Sequence, residues 1–186
     1  IARLSDSQFA LCYYSDTSAV ARVGTVTSGT LNIVLSNVVA FADNSNYDVM
    51  FGVVGLSDSL FLALHYNADA TSTTPVNYVG PLQATVINVH SAGANTAIWL
   101  GSSFTSTTAI VSGFMFGTGL SNTSAVVCFS DYNTGGGISV VALTVGSELS
   151  QSNGNYSVLF GDMWEVTSGE SQSLTNKGYM DLDITT

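Results

Sequence analysis

The sequence predicts an all-β chain. Three features carry that prediction: a residue mix hostile to helices, apolar runs of strand length set between turn-forming clusters, and a Leu-Ser segment that occurs three times. The 186 residues include 26 Ser, 20 Thr and 18 Gly but only 3 Lys+Arg. Long polar helix formers are nearly missing, whereas Val, Ile, Thr, Tyr and Phe suit a pleated, half-buried surface. A hydrophobic fraction of 46% supplies enough apolar surface to offset chain entropy, which argues against disorder. The formal charge of −10, with Arg3, Arg22 and Lys177 as the only cations, excludes phosphate-backbone binding and hence nucleic acid as a partner. No run of about 18 apolar residues occurs, so no helical membrane insertion is expected. Solubility must come from hydroxyls and amides, a composition common in secreted, surface-displayed and viral coat proteins. The chain starts at Ile1 with neither initiator Met nor leader, and is read as mature or cut from something longer.

The recurring segment organises the rest. Leu4-Ser5-Asp6-Ser7-Gln8-Phe9-Ala10-Leu11-Cys12-Tyr13-Tyr14 returns as Leu56-Ser57-Asp58-Ser59-Leu60-Phe61-Leu62-Ala63-Leu64-His65-Tyr66. A looser copy runs Leu120-Ser121-Asn122-Thr123-Ser124-Ala125-Val126-Val127-Cys128-Phe129, so the spacings are 52 and 64 residues. A second strand is expected after each copy, over Val20–Val26, Val76–Leu82 and Val140–Val145. Third strands are expected over Leu31–Leu35, Ala84–Val89 and Tyr156–Phe160, between Gly, Ser, Thr and Asn clusters that favour turns. Strands over Tyr47–Val54 and Val111–Phe116 lead into the second and third copies, and Tyr179–Ile184 is read as the closing strand. This gives one module of three units, about 1–55, 56–119 and 120–186, each of about four antiparallel strands, the make-up of a propeller blade.

The pairing of a Leu-Ser-x-Ser-x-Phe strand with Val20-Ala21-Arg22-Val23-Gly24-Thr25-Val26 resembles the tandem repeats of about 50 residues in large secreted or surface proteins of algae and other protists. That resemblance implies β-propeller-type blades. Three blades are fewer than the roughly four to eight that close a propeller, so it also implies an open array, a longer array or pairing with a second copy. Two other architectures fit the chain length: a β-trefoil or β-prism, and a jelly-roll sandwich. Pairing within each unit favours blades; pairing between distant units favours a sandwich. Cys12 and Cys128 hold the same place in their copies, with Leu64 between them, and in blades they are expected to be buried free thiols too far apart to bridge.

Candidate chemistry is sparse. His65 aligns with Tyr13 and Phe129 and reads as an aromatic slot on a strand; neither it nor His90 stands at metal-ligand spacing from Cys or carboxylates. The close pairs Asp162/Glu165 and Asp181/Asp183 read as solvated acids, and Gly135-Gly136-Gly137 as a hairpin connection. No cofactor or metal site and no enzymatic activity are expected. Tyr14, Tyr66, Trp99, Tyr132 and Trp164 are candidate rings for stacking on sugars or anchoring a partner. Asn122 and Asn155 head Asn-x-Ser sequons and are candidate N-glycosylation sites. The expectation is a non-enzymatic structural or adhesive module, extracellular or surface-displayed, that self-associates or contacts other surface proteins or glycans. A carbohydrate-binding lectin-like domain and a viral coat or spike domain are the alternatives.

Overall fold

The computed structural model describes residues 1–15, 18–30, 32–43, 49–67, 79–92, 95–146 and 156–167. All regular structure in them is strand, apart from one 3-10 turn at Tyr132–Thr134. The first sheet holds β1 (Ala2–Arg3), β2 (Gln8–Ser15), β3 (Ser18–Val26) and β4 (Ile33–Leu35) in that order, with β5 (Val39–Asp43) further along β3. The second is a seven-stranded meander of β6 (Val49–Ser57), β7 (Leu60–Asn67), β8 (Gly80–Ala92), β9 (Asn95–Ser121), β10 (Ser124–Asp131), β11 (Gly137–Val145) and β12 (Val158–Thr167). Among the described residues every pairing is antiparallel and joins strands close in sequence. Neither sheet, as described, closes into a barrel.

Each Leu-Ser segment forms a tight turn between two paired strands, and its serine explains why. Ser5, Ser57 and Ser121 accept through Oγ the backbone N–H of Ser7, Ser59 and Thr123 at 3.3, 3.2 and 3.2 Å. A hydroxyl two residues upstream thus takes the N–H that a tight turn leaves without a ladder partner.

The long strand β9 belongs to two pairings. Its first part lies beside β8 and its second beside β10, and Val111 is opposite both Gly80 and Asp131. At the hand-over the ladder slips, and Ser106 Oγ accepts the N–H groups of Thr108 (3.3 Å) and Ala109 (3.0 Å). That hydroxyl satisfies donors the irregular ladder would orphan. The meander folds back on itself here, so that β6, β7, β8 and the start of β9 face the rest of β9 with β10, β11 and β12 across one core. Leu62, Leu64 and Leu82 meet Val127, Phe129 and Leu143 in it.

The result is three layers in chain order: the first sheet, the first half of the meander, and its second half. A second core joins the first two layers, where Ala10, Ala21 and Val23 pack with Phe61, Ala63 and Ile87. The middle layer is therefore covered on both faces, which explains the unbroken apolar run of β7: every residue from Leu60 to Tyr66 is buried. By contrast β11 is covered by described residues on one face only and its burial alternates, with Val141, Leu143 and Val145 inside and Ala142 and Thr144 outside.

Side-chain direction is consistent from layer to layer. Counting on from the signature leucine, the eighth residues are Cys12, Leu64 and Cys128. Cys12 packs toward the middle layer and Leu64 toward the third. Cys128, out of step with its inward neighbours Val127 and Phe129, points away from the stack. The ninth residues are Tyr13, His65 and Phe129. His65 faces back toward the first layer, 5.5 Å from the Phe41 ring, and Phe129 faces back toward the second. His65 is buried, with Nε2 3.1 Å from Thr85 Oγ1.

Both cysteines are free, and burial pushes the Cys12 thiol up to about 12 and raises that of Cys128. Asp131 is fully buried, held by the N–H of Asn133 (2.9 Å) and the hydroxyl of Ser139 (2.8 Å).

Several expectations need correction. Val76–Leu82 and Ala84–Val89 are not two strands, since one strand, β8, runs from Gly80 to Ala92; Val76–Tyr78 lie outside the described residues. Strand segments beyond the sequence reading include β1, β5 and the first half of β9. The closing strand over Tyr179–Ile184, with Asp181 and Asp183, also lies outside the described residues.

Candidate interaction surfaces

Three strands bearing the residues just before each Leu-Ser signature converge on one cleft of about 520 Å³, lined by Ile1, Arg3, Val53, Gly55, Gly117 and Gly119 among others. Arg3, Gly55 and Gly119 hold the same place, immediately before the leucine. A Cβ on Gly55 would run into the Arg3 carbonyl oxygen, and one on Gly119 into that of Gly55. Glycine at these two positions lets consecutive layers bring their backbones together. Arg3 itself extends to solvent, where its guanidinium pairs with the Asp6 carboxylate and its Nε donates to the Ser5 carbonyl at 3.3 Å.

A second cleft, of about 480 Å³, lies between the first two signature turns, with Ser7, Gln8, Asp58, Ser59 and His90 on its walls. Gln8 Nε2 ties the layers together beside it, donating to Ser91 Oγ (3.0 Å) and Thr96 Oγ1 (3.3 Å). His90 packs at 5.5 Å from the ring of Trp99. The cleft gathers serine, histidine and aspartate, but among the described residues no hydrogen bond joins His90 to Asp58 or to the serines. A third cleft, of about 710 Å³, separates Thr105–Thr108 from Val158–Met163 and has Asp162 on its rim. Among the described residues no three of His, Cys, Asp and Glu gather as metal ligands.

The candidate stacking rings do not share one surface. Tyr66 is not available to a ligand. It is 0% exposed, its hydroxyl donates to the Gly113 carbonyl at 3.2 Å, and burial, with Tyr14 adding, pushes its ionisation up to about 12. Tyr66 turns toward the third layer, as Leu64 does, and is enclosed in the core between the second and third layers. Tyr14 is exposed at the end of β2 and meets Phe51 edge-on at 4.9 Å. Trp99, Tyr132 and Trp164 are exposed on β9, on the 3-10 turn and on β12 respectively. Asn122 is exposed in the turn between β9 and β10; Asn155 lies outside the described residues.

The outer faces of the two end layers carry apolar side chains that are mostly half-buried, with Cys128 buried and Leu159 and Trp164 exposed. On the first, Phe9, Leu11 and Tyr13 share the face turned away from the core with Arg22. On the third, Phe114 and Phe116 stack in parallel at 5.1 Å beside Cys128 and Val140, and Leu159 and Trp164 continue the face on the edge strand. The sequence concealed this grouping because the order of the layers decides which alternate residues are left outside. Comparison with protein-family models, curated protein sequences and solved structures finds no match.

Proposed function

We propose that the chain is a non-enzymatic structural or adhesive module, extracellular or surface-displayed, built from three propeller-type blades that work by assembly through protein or glycan contacts. The observation that carries this reading is the pair of end faces that no layer of described residues covers. Each corresponds to a face that is buried wherever a neighbouring layer is present. The agreement in side-chain direction between the three Leu-Ser segments supports reading them as repeats of one unit, stacked in the same sense. A surface rich in hydroxyls, and a sequon at an exposed turn, support the setting. The test is the mass of the purified chain in size exclusion with light scattering: elution above the monomer mass is expected, and a stable, monodisperse monomer would count strongly against the reading.

A further inference from the structure

We infer that two copies of this chain dock through the outer face of the third layer, related by a two-fold axis; this rests on the assembly reading above and names its partner and surface. The outward positions of β9, β10 and β11 in this layer carry no charged side chain, from Phe114 and Phe116 through Val126 and Cys128 to Val140 and Ala142. Trp164, 72% exposed, and Leu159, 64% exposed, extend the surface onto β12. In a chain of net charge −10, a face without ionised groups lets two copies meet without desolvating acids.

Arg3 selects the symmetry. In the stack, the residue before each signature leucine turns its Cβ side toward the carbonyl of the preceding layer, and only glycine fits there. A second copy added head to tail would present Arg3, not glycine, to the Gly119 carbonyl, and its β-carbon would strike backbone that cannot swing aside. The first layer's outer face also carries Arg22, whose Nε is buried and has no hydrogen-bond partner among the described residues. Head-to-tail growth is thereby blocked, and the third layer's face is left to meet its own copy in an isologous contact that closes at two.

Sedimentation equilibrium of the full chain over a concentration series tests this. The expected result is a species of twice the monomer mass and none larger, tightened by added NaCl because the two copies repel through their net charge. Trp164→Asp is expected to weaken dimerisation about a hundredfold, since a two-fold interface counts each lost side chain twice. At concentrations where the wild type is monomeric, its exposed position predicts an unchanged melting temperature. Leu35→Asp, on the first layer's free face opposite Gly24, is expected to leave the dimer intact. A wild-type monomer at all concentrations overturns the inference, including the case in which residues 168–186 or an unrelated protein cover the face, and counts against the assembly reading as far as it rests on self-association. An oligomer indifferent to Trp164→Asp, or one dissolved by Leu35→Asp, overturns the inference alone.

Discussion

Gly119→Ala is expected to destabilise the fold by about 3 kcal/mol, at the upper end of what overpacking costs. The added methyl group would meet the Gly55 carbonyl oxygen, with the Leu56 Cα also close by. Both are backbone atoms held in β6, so no rotamer change relieves the clash and the two layers must separate. For a chain of this length such a loss lowers the melting temperature by roughly 6–12 °C. Gly29→Ala is the control: its φ of 85° disfavours alanine, but nothing lies within 4 Å of the new carbon, and about 1 kcal/mol is expected. Chemical denaturation of both variants decides the matter. If Gly119→Ala proved as mild as Gly29→Ala, the close approach of consecutive layers would be refuted.

Phe61→Ala is expected to cost about 3–5 kcal/mol and Leu62→Ala about 2–5 kcal/mol. Neighbouring residues in a strand normally face opposite ways, and in a sheet covered on one side only one of the two would matter. Here Phe61 belongs to the core shared with the first layer and Leu62 to the core shared with the third, and both are fully buried. In β11 the same pairwise comparison should be lopsided. Leu143→Ala is expected to cost about 2–5 kcal/mol and the exposed Thr144→Ala within about 0.5 kcal/mol. Urea midpoints for the four variants measure this directly. A small effect at either Phe61 or Leu62 would mean that the middle layer is covered on one face only, and small effects at both Phe61 and Leu143 would mean that neither core packs as described.

Much of the strand content was legible in the chain, because it rests on local chemistry. The Leu-Ser turns needed only a hydroxyl and a short reversal, and β2, β3, β7, β10 and β11 follow from apolar runs bounded by them. The apolar run Leu60–Leu64 fits a doubly covered strand, but Val140-Val141-Ala142-Leu143 is as apolar, so the one-sided burial of β11 was not legible in its sequence. The first half of β9 was hidden because Gly101-Ser102-Ser103 and Thr105–Thr108 have the composition of a turn. Within the sheet, Thr and Ser pair across strands, as in the Thr85 hydroxyl donating to Ser103 Oγ at 2.9 Å. The interaction surfaces were less legible. Gly55 and Gly119, inside strands, were the available signal for a close backbone approach. Tyr66 looked equivalent to Tyr14, and both turn toward the following layer, yet Tyr66 is enclosed while Tyr14, packed on Phe51, stays exposed, a difference that no local pattern encodes.

The order of the layers is most directly tested by nuclear Overhauser contacts from β7. Phe61 and Ala63 are expected to show cross-peaks to Ala10 and Ala21 of the first layer, and Leu62 and Leu64 to Val127 and Phe129 of the third. Contacts from Leu64 to Ala10, or from Ala63 to Phe129, would place the middle layer the other way round and contradict the stacking from which both proposals are built.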